Sequence, residues 1–84
     1  FVFVIYEDTD SAGHDYGFTF NNPVYKEAFN TEDAYGYEVI KAIEARETYE
    51  TEDWLIIVTS DHGGYNTEHG SLTLQERMTF IVAR

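Results

Sequence analysis

The side chains best suited to chemistry in this sequence are two acid-histidine pairs and one further histidine. In "DSAGH" Asp10 and His14 are separated by three small residues, and in "DHGG" Asp61 and His62 are adjacent and followed by two glycines. With His69, in "EHG", these account for all three histidines of the chain. Imidazole nitrogen and carboxylate oxygen are ligands that zinc accepts at about 2.0 to 2.2 Å. Two such ions spaced roughly 3.5 to 4 Å apart can activate a nucleophile and hold the leaving oxygen of a phosphoryl transfer. The chain has no cysteine, so disulfides, thiolate nucleophiles and cysteine zinc sites are excluded, and any metal must be held by carboxylate and imidazole. Taken singly, each pair is also an ordinary turn sequence, since Asp, Ser and Gly are common turn formers.

What gives the pairs weight is where the chain places them. "WLIIV", residues 54–58, is uncharged and rich in β-branched side chains, which predicts a buried strand ending at Asp61 and His62. "FVFVIYE", residues 1–7, predicts a second buried strand, again running into acids. Residues 9–22 carry Gly13, Gly17, Asp, Ser and Asn and predict an irregular loop. Asn22-Pro23 suits a helix start, leading into a short helix. A second helix capped by Asn30 then carries Gly36, Val39, Ile40 and Ile43 at helical spacing, with Gly36 letting its backbone approach the sheet. "MTFIVA", residues 78–83, predicts a third strand. The resulting order is that of a right-handed crossover unit. The expected fold class is therefore α/β, a mostly parallel sheet with a crossover helix. The histidines then collect at the carboxyl edge of the sheet, where α/β proteins bind ligands.

Composition narrows the function classes. Sixteen acids against five bases give a net charge of −11, which predicts no binding to nucleic-acid duplexes and favours divalent cations as partners. A hydrophobic content of 43% and an aromatic content of 17% are those of a folding chain and not of an acidic disordered tail. No apolar run is long enough to cross a membrane. A chain of 84 residues buries only about 60% of its unfolded surface, and one helical layer leaves one face of the expected sheet bare. The expectation is a fragment of one larger domain, whose remainder is its first partner. Asp8, Asp10 and Gly13 fit positions 1, 3 and 6 of a calcium loop, but Ala12 and Thr19 occupy positions 5 and 12, where ligands are needed. Glu7, Asp15, Glu68 and Glu76 read as solvated loop acids.

"EDTDSAGHDYGF" resembles the "DxxGHxxG" signature, and "TSDHGG" the "TSDHG" signature, of the alkaline phosphatase superfamily, in particular its nucleotide pyrophosphatase/phosphodiesterase and related metallophosphatase branch. Their order and the intervening helix are similar as well, so the resemblance spans nearly the whole chain. It implies an alkaline-phosphatase-like fold of which residues 1–84 are a carboxyl-terminal part, two zinc ions, and hydrolysis of a phosphomonoester or nucleotide phosphodiester. Asp10 and His14 would hold one zinc, with His69 as the candidate downstream histidine, and Asp61 and His62 the other. Asp8 could replace Asp10, but the four-residue step to His14 favours Asp10. The nucleophilic Thr or Ser of the family has no counterpart here, since Thr59 and Ser60 only introduce the "DHG" pair. A non-catalytic acidic fragment, a cofactor-independent phosphoglycerate mutase and a sulfatase are the alternatives.

Overall fold

The computed structural model describes residues 1–84 and shows a small α/β arrangement of three α-helices and one two-stranded sheet: α1 (Asp8–Tyr16), α2 (Pro23–Glu44), β1 (Ile57–Thr59), α3 (Leu74–Arg77) and β2 (Ile81–Ala83). A single 3-10 turn, Tyr49–Thr51, lies between α2 and β1. No helix is long and apolar enough to cross a membrane.

The stretch expected as an irregular loop is in large part α1. Asp8 and Asp10 lie in its first turn, where carboxylates oppose the positive end of the helix dipole. Its free amino-terminal donors are met from α2: the Thr9 N–H donates to Glu32 Oε1 at 2.9 Å and its hydroxyl to Oε2 at 2.5 Å. Gly17, with φ of 101°, ends the helix and turns the chain back along it.

α2 starts where the sequence predicts. The Asn22 side chain accepts from the backbone N–H of Val24 at 2.9 Å and of Tyr25 at 3.5 Å, and Pro23 occupies the first helical position. It then runs unbroken through Asn30, so the two predicted helices are one. No Pro or Gly lies between Val24 and Tyr35, and a single Asn in a helix interior costs under about 1 kcal/mol, too little to stop it. Gly36 has nothing within 4 Å of where a Cβ would stand, so the expected close approach to the sheet is absent. Past the helix end, Glu52 gathers Arg46 through two hydrogen bonds of 2.8 and 2.7 Å, together with the Thr48 hydroxyl and the Trp54 indole N–H. Those donors, Arg46 foremost, hold the Glu52 carboxyl down to about 2.

The sheet differs from the expected parallel one. β1 pairs antiparallel with β2 in the register Ile57↔Ala83, Val58↔Val82 and Thr59↔Ile81, so the second predicted strand pairs with the third and not with the first. Phe1–Glu7 forms no ladder. It lies against α2, with Tyr6 and Tyr35 rings 5.5 Å apart, and with Leu55–Val58, Val39, Ile40 and Ile43 it lines an open trough of about 2020 Å³. Only four residues are buried: Ala12, Gly13, Gly17 and Glu76, none of them in a strand.

Candidate metal centre

Helix α1 explains the D-x-x-x-H spacing. Residues four apart on a helix share a face, so Asp10 and His14 stand one turn apart, with His14 Nε2 3.7 Å from Asp10 Oδ1. The other two histidines converge on the same oxygen, His69 Nε2 at 3.4 Å and His62 Nε2 at 3.9 Å. Potential ligand atoms of Asp10, His62 and His69 all lie within 4.8 Å of one another. The His62 and His69 rings stack at 3.8 Å, and those of His14 and His69 lie 4.9 Å apart. Asp61 stands at the outer edge, its side chain 89% exposed, with its Oδ1 3.6 Å from His62 Nε2 and accepting the His62 backbone N–H at 3.0 Å. Asp8 takes no part in the cluster.

Two of the three imidazoles are aimed by backbone carbonyls. A carbonyl can only accept a hydrogen bond, so His14 Nδ1, 2.8 Å from the Thr67 carbonyl, and His62 Nδ1, 2.8 Å from the Gly63 carbonyl, must carry the protons. A neutral ring held this way has its Nε2 lone pair free, and in both residues Nε2 faces Asp10. Metal-ligating histidines are characteristically fixed in this way, with the second nitrogen donating to a backbone carbonyl. Asp10 Oδ1 is itself shielded from solvent and has no hydrogen-bond partner, although it accepts readily and stands within 4 Å of three imidazoles. An anionic oxygen facing lone pairs is unfavourable without a cation or added protons between them.

The walls are largely aromatic. Phe18 returns from the Gly17 turn to lie on α1, its N–H donating to the Asn66 carbonyl at 2.7 Å. A Cβ at Gly13 or at Gly64 would come within 2.2 Å of its ring. The ring meets His14 edge-on at 5.4 Å, and Tyr25 and His69 at 5.8 and 6.1 Å. Burial above all, with Glu32 and Asp10 adding to it, pushes the Tyr25 phenol up, so it stays neutral beside the acids. The Tyr65–Glu68 turn, tightened by Asn66 at φ of 53°, delivers both the Thr67 carbonyl and His69.

Glu76 is buried, 5% exposed, and so is not the solvated acid expected. It closes a capping box with Thr73 at the start of α3 and also takes the Ser71 hydroxyl and N–H. These donors, Ser71 first, hold its carboxyl down to about 2. Its backbone carbonyl accepts the Gly63 N–H at 3.0 Å, which ties the "DHGG" loop to α3. A Cβ at Gly63 would lie 2.0 Å from the Gln75 carbonyl oxygen and 2.7 Å from that of Met78. Neither Gly63 nor Gly64 has a positive φ, so these glycines are needed for space and not for a left-handed turn.

Compared with known proteins, residues 1–78 match the family described as Type I phosphodiesterase / nucleotide pyrophosphatase. The chain belongs to this family. No curated protein and no solved structure matches the chain. Membership in the type I phosphodiesterase family makes the parent activity a hydrolysis of the phosphodiesterase type, with phosphate esters as substrates. Both acid-histidine pairs and His69 lie inside the matched span.

Proposed function

We propose that the full-length protein hydrolyses phosphate esters, a phosphomonoester or nucleotide phosphodiester, at a two-zinc centre, and that these residues alone are inactive because they lack the nucleophile. Its ligands are Asp10, His14 and His69 for one ion and Asp61 and His62 for the other. The observation that carries this reading is Asp10 Oδ1, shielded and unpartnered beneath imidazole nitrogens whose protons are committed elsewhere. The donor set, nitrogen and carboxylate oxygen with no sulfur, fits zinc and other divalent transition metals. Bound there, the metals would supply Lewis-acid polarisation of a phosphoryl oxygen and activation of a hydroxyl nucleophile.

The chain's own residues orient and neutralise. Thr67 and Gly63 hold His14 and His62 in the tautomer that leaves Nε2 free, the form in which an imidazole ligates a cation. Asp10 Oδ1 stands 3.7 Å from His14 Nε2 and 3.9 Å from His62 Nε2, so its charge acts on histidines of both pairs. The nucleophilic Thr or Ser is proposed to lie outside these residues, which then form the carboxyl-terminal part of one phosphohydrolase domain with an alkaline-phosphatase-like, mostly parallel sheet.

Zinc content of the full-length protein by elemental analysis and calorimetry tests this, with its His14→Ala and Asp61→Ala variants beside the wild type and a chromogenic monoester and diester assayed in parallel. Two zincs in the wild type and one lost in each variant are expected. Turnover should fall by on the order of 10²- to 10³-fold or more, as when one electrostatic stabiliser of a transition state is removed. Wild-type zinc content in either variant would reject the ligand assignment.

A further inference from the structure

The aromatic wall of the site touches both metal-binding segments. We infer that Phe18 is a positioning residue: its ring, lodged between the backbone of Gly13 on α1 and that of Gly64 after the "DHG" turn, sets the separation of the two metal-binding segments. Through that separation it sets the spacing of the His14, His62 and His69 Nε2 atoms around Asp10. The inference rests on the two-metal reading for its consequence, though not for its geometry.

Four observations converge. The ring fills both glycine surfaces so closely that a methyl on either would overlap it, at 2.2 Å in each case. Gly13 lies between Asp10 and His14, and Gly64 lies two residues from His62, so a shift of the ring displaces a ligand on each side. Its edge contacts reach His14 and His69 directly, at 5.4 and 6.1 Å, while Tyr25 closes the remaining side at 5.8 Å. Its backbone N–H donates to the Asn66 carbonyl, beside the Thr67 carbonyl that orients His14, so the segment carrying the ring is tied to the segment carrying the His14 proton acceptor. A smaller side chain at position 18 would leave a gap between the two segments. Close-packed interiors close such gaps by shifting their walls, here the walls that carry the ligands.

The test is zinc and cobalt titration of the protein carrying Phe18→Leu, Phe18→Ala, Gly64→Ala and the double change Phe18→Ala/Gly64→Ala, with melting in EDTA to establish that each folds. Phe18→Leu and Phe18→Ala are expected to weaken zinc binding by about 10- to 100-fold, as loss of a supporting contact does, and to alter the visible absorption of bound cobalt. Gly64→Ala should do the same in the wild-type background and cost nothing further beside Phe18→Ala, because the ring it collides with is gone. Additive effects of the two changes, or wild-type affinity and cobalt spectrum in folded Phe18→Leu, would overturn the inference. If the wild type bound no metal, the two-metal reading alone would fail, and imidazole ¹⁵N shifts in the metal-free protein would decide the positioning role. Loss of the His14 Nδ1–H tautomer in Phe18→Leu would support it; retention of that tautomer would reject it.

Discussion

At the histidine end, all four buried residues lie on α1, at the turn that follows it or on α3. Three glycines there are pressed against a ring or a carbonyl. At the sheet end the apolar side chains are open: Phe1–Tyr6 are all at least 41% exposed, and so are Ile57, Val58, Ile81 and Val82. The histidine end thus derives its order from small residues and short polar contacts that this chain supplies itself. The sheet end has the hydrophobic material but no surface within the chain that covers it. Hydrophobicity along a sequence and burial in the fold are different quantities, and here they run in opposite directions.

The strongest way to break the contrast is to put one methyl group into the tight end. In Gly63→Ala the new Cβ meets two backbone carbonyls and no flexible side chain, so the "DHGG" loop and α3 must separate. The expected loss is about 3 kcal/mol in EDTA, near the upper end for overpacking, measured by urea unfolding, together with weakened zinc binding. A variant as stable as wild type would show that the loop is loosely seated and that the histidine end is not the ordered one.

Much of this end was legible from residue types. The pairs Asp10/His14 and Asp61/His62, and His69, were all singled out, and the structure brings them to one place. Their support was harder to see. Gly13, Asp8, Asp10 and Ser11 are poor helix formers, so α1 read as a loop, yet the i, i+4 step of Asp10 and His14 already carried the helical period. Phe18 looked like any core aromatic, because its importance comes from glycines 5 residues before it and 46 after it. Glu76 was readable, as Thr73-x-x-Glu76 is a capping-box sequence, but a helix of four residues gives no periodicity to draw attention to it. The sheet was the least legible: an apolar run announces a strand without naming its partner, and β1 finds β2 where Phe1–Glu7 was expected.

A milder probe compares the two ends through their acids. Glu52 and Glu76 are both held near 2 by hydrogen bonds to the ionised form, below the ordinary value of 4.5. A depressed carboxylate contributes stability that is complete above the ordinary value and is lost as pH falls toward the folded one. Both anchors should therefore release between about pH 4.5 and pH 2. Trp54 is the sole tryptophan and donates to Glu52, so its emission reports the release at that site. The Glu52→Gln variant is expected to remove the acid-dependent change in emission, and Glu76→Gln to leave it in place while reducing the acid dependence of the melting temperature. An unchanged emission profile in Glu52→Gln would mean that Trp54 senses another group.

The smallest expected effect is at the open end. Ile81 is 73% exposed on β2, opposite Thr59, so Ile81→Thr removes little buried surface and keeps the β-branched shape that suits a strand. Its cost should stay within about 0.5 kcal/mol, the range of surface substitutions, with zinc binding unchanged. A loss of about 2 kcal/mol is what burying an unpaired hydroxyl in an apolar setting costs. That result would place Ile81 under cover in solution and make the sheet end a second ordered region, held by packing where the histidine end is held by small residues and polar ties.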